Sequence, residues 1–198
     1  VDGTTHSPVV LFHYPSNVPT GFEYLGRTVK LEFGSLTDQR PVGTHAVSSW
    51  VAEEFPKQFA DFRCELVALE LERTFWEKAT ILHMEHHRDP AKPMRDRYSR
   101  HYSDMAALAR HAVVESALAR ADLRQRVADW KSRFFPAGWA RYDLAKPGTF
   151  RLVPPASRLA ELERDYQAMR PMFLTDPPSF VRIIEVVRGL ENRINQTT

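Results

Sequence analysis

Arg73-Thr-Phe-Trp-Glu-Lys78-Ala-Thr-Ile-Leu-His83 decides how this chain folds. Phe75, Ala79, Leu82 and His86 recur at helical spacing, with Trp76 and His83 beside them, so residues 72–87 read as a helix with one buried face. A second helix follows over residues 98–111, carried by Arg97-Tyr-Ser-Arg-His-Tyr-Ser-Asp104-Met-Ala-Ala-Leu108, with Tyr98, Tyr102, Met105 and Ala109 on its stripe. Each helix carries one charge at the rim of its apolar face. Lys78 lies about 40° from Leu82, taking the ~100° step per residue of a helix. A lysine placed so can meet a phosphate as a point charge, or lay its stem over apolar surface with its ammonium in water. Asp104 sits beside Leu108 and His101; it can aim a lysine, a metal or a reacting hydroxyl, or pair with Arg100 one turn earlier.

Working outward, a third helix is expected over residues 115–135, stopped by Pro136-Ala-Gly138. Residues 136–155 hold four prolines and two glycines and read as a long ordered loop or a disordered link. Ser157 is expected to cap a helix through Ala168, and Ser179 a last amphipathic helix built on Phe180, Ile183, Ile184, Val187, Leu190 and Ile194. Toward the N-terminus the chain is β-rich. Residues 8–14 form a short apolar run, 15–21 a turn-rich segment, and Thr28-Val-Lys-Leu-Glu-Phe33 alternates strictly. Residues 48–55 fit a strand or a short helix. Residues 62–69 lack alternation, which suits a strand buried on both faces. The organisation expected is thus a β-rich part over 1–71 and a helical part over 72–198.

Composition bounds the function classes. The 198 residues are 43% hydrophobic and 26% charged, an ordinary soluble balance, and no apolar run is long enough to span a bilayer. The lone Cys64 excludes an internal disulfide and a cysteine zinc cluster, and suits a cytoplasmic location. The first residues lack a signal peptide's basic start and apolar core, and no Met opens the chain, so a processed or truncated piece of a longer protein is expected. Net charge is only +2, yet residues 88–141 hold 12 Lys+Arg against 6 Asp+Glu. That is either a set of solvated helix faces or a surface for phosphates.

Three other groups can carry chemistry. Glu32 ends the polar face of an alternating strand, where a carboxylate can help hold Mg²⁺ or simply face water. His83, His86 and His87 put two imidazoles at i,i+4, a spacing able to hold a transition metal, but Met84 stands where a zincin-like site has Glu. Arg95 and His101 fit the loose Arg…His motif of HEPN-type ribonucleases, a match nearly expected by chance in a chain rich in both residues.

Together, Val29-Lys-Leu-Glu-Phe-Gly34, the Arg73–His83 stretch and the Arg97–Leu108 stretch resemble the AbiEii/AbiGii toxin family of nucleotidyltransferases. Residues 158–172, with Asp165-Tyr-Gln-Ala-Met169, resemble its C-terminal helical region. The resemblance implies an α+β fold: part of a polymerase-β-like mixed sheet, then a mostly helical C-terminal half. It implies transfer of a nucleotidyl group from an NTP to an acceptor such as a tRNA end, with Mg²⁺ as cofactor and an antitoxin encoded nearby. Lys78 and Asp104 map to the catalytic positions, Lys78, Arg73 and Arg100 to the nucleotide, and Glu32 to the metal. One departure is plain. The family's Gly-Ser followed by Asp-x-Asp is missing; Gly34-Ser35 has only Asp38 after it. The expected consequences are an incomplete metal site and self-association through an unpaired sheet edge. The alternatives are an inactive NTP- or RNA-binding module and a HEPN-like ribonuclease.

Overall fold

The β-rich part forms strands, but among the described residues each strand finds one partner. A computed structural model of the chain describes residues 8–17, 24, 26–34 and 38–197; Ser35 and residues 18–21 of the expected turn lie outside them. β1 (Val9–His13) pairs antiparallel with β2 (Thr28–Glu32), with Leu11 opposite Lys30. β3 (Val42–Ser48) leads into the short helix α1 (Trp50–Glu54) and pairs antiparallel with β4 (Arg63–Leu69), with His45 opposite Leu66.

These are two ladders, each two strands wide. That width explains a difference from the sequence reading. Residues 62–69 were expected to be buried on both faces, yet Arg63 through Ala68 are all exposed. A lack of alternation here marks a strand with no buried face rather than two. Val10, Leu11, Phe12, Val29, Leu31 and Phe33 on the first ladder are likewise exposed.

The core lies in the helices. α2 (Leu71–His86) packs on α3 (Ser99–Leu108), α4 (Val113–Leu118) and α5 (Ala121–Phe134). α6 (Ala156–Met169) and α7 (Phe180–Gln196) close over the far side of α3. Phe75, Trp76, Ala79 and Leu82 of α2 are buried, as the stripe predicts, and meet Tyr102 and Met105 of α3 in one cluster. The Trp76 indole N–H donates to the Ala117 carbonyl at 3.0 Å, tying α2 to α4. The single helix expected over 115–135 is two, because the backbone at Arg120 leaves the helical region (φ −102°, ψ 65°). The chain is thus α+β with a helical C-terminal half.

The 136–155 segment is an ordered loop, and side chains of α2 and α7 account for its order. His83 Nδ1 accepts from the Arg151 N–H at 3.0 Å, so its proton sits on Nε2, which donates to the Arg141 carbonyl at 2.9 Å. His86 Nδ1 donates to the Val153 carbonyl at 2.7 Å. From α7, Glu191 accepts the N–H groups of Leu152 and Val153, and Asn195 bonds both backbone groups of Phe150. Gly148, at φ 83°, supplies a left-handed turn. Buried backbone needs partners, and these side chains provide them.

α6 sets the entrance to α3. Its Asp165 carboxylate accepts from the Arg97 N–H at 3.1 Å and the Ser99 N–H at 2.8 Å, and so caps the α3 N-terminus from another helix. Seven residues earlier on the same face, Arg158 donates to the carbonyls of Asp89 and Lys92 in the α2–α3 connection. Ser157 does not cap α6: that helix begins at Ala156, behind Pro155. Ser179 does cap α7, accepting from the Arg182 N–H at 3.3 Å. Asp165→Ala should lower the unfolding free energy by about 1 kcal/mol, the usual loss on removing a cap. Urea denaturation would measure it; no change would mean that water serves the two N–H groups equally well.

Candidate functional site

Lys78 and Asp104 are brought together. α2 and α3 pack through their apolar stripes, which turns both rim charges to one groove. The Lys78 ammonium donates to Asp104 Oδ2 at 2.5 Å, with the lysine side chain 25% exposed and the aspartate 48%. Asp104 therefore takes its partner from α2, not from Arg100 on its own helix. Arg100 lies exposed one turn before it. His101 completes the cluster: its Nδ1 is 3.4 Å from Lys78 Nζ. Burial, and next the Lys78 charge, push the imidazole down to about 4, so the ring is neutral at pH 7.

Arg73, expected to face a nucleotide, lies beneath the surface instead. Its side chain is 0% exposed. Nη1 donates to Asp38 Oδ2 at 2.6 Å and to the Arg40 carbonyl at 3.0 Å, while Nε and Nη2 both hold Glu77, one turn along α2. Asp38 also receives both prongs of the Arg126 guanidinium from α5. Glu77 is shared with Lys131 of α5 at 2.9 Å. The result is a chain of alternating charge, Arg126–Asp38–Arg73–Glu77–Lys131, directly behind Lys78. Hydrogen bonds from Arg126, opposed by burial and joined by Arg73, hold the Asp38 carboxyl below its usual range. Burial works to raise Glu77, but Lys131 and Arg73 outweigh it and hold that carboxyl down as well. Burial pushes Lys131 down against the attraction of Glu77.

Asp38, Glu77, Arg126 and Lys131 escaped the sequence reading. One signal was present: Leu123, Val127 and Lys131 are spaced i, i+4, i+8, so the third member of a buried stripe is a charge. Such a lysine needs a buried carboxylate, and Glu77 is it.

Glu32 stands apart from this cluster in its bonding. It is exposed on β2 and pairs with Lys30 at 2.5 Å; among the described residues no ion pair joins it to Lys78 or Asp104. Nor is any group of three or more His, Cys, Asp or Glu placed among the described residues to hold a metal ion. His83 and His86 of α2 serve the loop backbone instead, and His87, just past the helix, stacks edge-on against both rings. No helix among the described residues is long and apolar enough to cross a membrane.

Comparison with known families gives a match over most of the chain. The model of the nucleotidyl transferase AbiEii toxin, of type IV toxin–antitoxin systems, matches residues 1–188. No curated protein matches the chain, and no solved structure does. A family match over nearly the whole sequence, through both site helices, settles the membership: the chain belongs to the AbiEii family of toxin nucleotidyltransferases, whose type IV systems pair a toxin with a cognate antitoxin.

Proposed function

We propose that the Lys78–Asp104 groove is the triphosphate side of a nucleotidyltransferase site that moves a nucleotidyl group from an NTP to an acceptor such as a tRNA end. The observation that carries this is the 2.5 Å contact between two partly exposed charges from different helices. In this reading Lys78 and the exposed Arg100 neutralise the triphosphate, Asp104 aims Lys78, and Arg73 ties α2 to Asp38 and the Arg40 carbonyl. The acceptor oxygen attacks the α-phosphorus in line, the bond to the bridging oxygen breaks, and pyrophosphate leaves with its charge met by the cations. The Mg²⁺ implied by the family finds no ligand set among the described residues, since Glu32 brings one carboxylate and Asp104 is engaged with Lys78. The ion belongs, in this reading, to the triphosphate that carries it.

A second reading is an NTP- or RNA-binding module without transfer, favoured by the missing Gly-Ser…Asp-x-Asp. A HEPN-like ribonuclease calls for an all-helical fold, and the strands here speak against it. Labelled-NTP incorporation into bulk tRNA separates the first two. Transfer predicts incorporation that drops at least about a hundredfold in Lys78→Ala, the scale of losing one charge-stabilising donor. Binding of NTP without incorporation favours the module. Equal incorporation in wild type and variant would remove Lys78 from the site.

A further inference from the structure

The ammonium of Lys78 has three N–H donors. One goes to Asp104 Oδ2 at 2.5 Å. Among the described residues, the other acceptor within its reach is Nδ1 of His101 at 3.4 Å. A lysine ammonium has no lone pair, so the histidine must be the acceptor, and its own proton must sit on Nε2.

We propose that His101 is a positioning residue for Lys78: its imidazole, held as the Nε2–H tautomer, takes one ammonium proton at Nδ1, and with Asp104 leaves a single N–H of Lys78 to point at a phosphate oxygen. The inference rests on the reading of Lys78 as a phosphate contact. Ring placement supports it. The buried Tyr98, three residues back and just before the start of α3, meets the imidazole edge-on, with centroids 4.9 Å apart and planes at 73°. The charges acting on the ring come from both packed helices and from α5: Lys78, Arg100 and Lys131 oppose its protonation, and Asp104 favours it. Three cations against one carboxylate, with burial, keep it an acceptor at neutral pH. A charged ring could not accept from Lys78 and would repel it.

The tautomer is the direct test, on the chain without ligand. Long-range ¹⁵N–¹H spectra of the histidine rings at pH 7 should show His101 neutral, bare at Nδ1 and protonated at Nε2. A ring protonated at Nδ1, or at both nitrogens, overturns the proposal whether or not any phosphate binds. The second arm uses inorganic triphosphate with two variants of nearly equal shape. The amide oxygen of His101→Asn can stand where Nδ1 stands; His101→Leu has no acceptor. Binding should weaken about tenfold in His101→Leu and stay within about twofold of wild type in His101→Asn, on the scale of one hydrogen bond to a charged group. Equal loss in both would make His101 a packing residue and overturn the proposal. Should wild type bind no triphosphate, the phosphate reading of Lys78 fails, and the tautomer alone still decides whether His101 holds the lysine.

Discussion

Arg73→Ala should lower the unfolding free energy by about 3–5 kcal/mol, the range for removing one partner of a buried ion pair. The side chain has no exposed surface, and it joins Asp38 to Glu77 across two parts of the fold. Without it, Asp38 keeps only Arg126 and Glu77 only Lys131, so each carboxylate stays out of water with half of its compensating charge gone, and the link between β3's approach and α2 is lost. Arg73→Lys restores charge without the fork and should recover roughly half of the loss. Urea unfolding of the three proteins measures this. A loss below about 0.5 kcal/mol, the level of an ordinary surface substitution, would show that the buried charges do not hold this region together.

Acid should destabilise the fold well before carboxylates titrate. Burial pushes both His83 and His101 from 6.5 down to about 4 in the folded chain. Above pH 6.5 both folded and unfolded forms are neutral, and these groups add no slope. Below it the unfolded chain binds a proton that the folded chain refuses, so stability is lost as pH falls, until the folded form also protonates near 4. For the fully buried His83 the loss reaches about 2 kcal/mol at pH 5, by linkage over that interval. His101 adds less, because its ring is only part buried. Unfolding free energies measured from pH 8 to pH 5 should fall along this curve, and His83→Gln should follow a shallower one whatever its absolute stability. A flat profile between pH 7 and 5 would mean that the histidines are not held neutral.

The sequence made the helices readable where one stripe met one buried face. α2, α3 and α7 follow their apolar spacing because each has a covered side and a wet side. Periodicity failed where that condition failed. β4 has no covered face among its six exposed residues, and so its pattern is silent. The break at Arg120 shows only as a slipped stripe: the buried Ala117 and Leu123 would lie about 120° apart on one continuous helix. The site divides the same way. Lys78 and Asp104 were legible as rim charges, and their meeting followed from packing two stripes. The buried network behind them was not, because Asp38 reaches Arg73 across 35 residues, and local spacing cannot report a partner so distant. Arg73 was misplaced for the same reason: on the helical wheel it looks like any polar residue, and only its partners show that it faces inward.

The central claim is that Lys78 is a phosphate contact and not only half of an ion pair. Titration of wild type and Lys78→Ala with NTP tests it most directly, with urea unfolding run alongside. A partly exposed pair contributes at most about 1 kcal/mol to stability, so the variant should fold normally. Its NTP affinity should fall by about tenfold or more, the loss of one charge-assisted contact. Equal affinity in two folded proteins would contradict the account and leave Lys78 a structural residue.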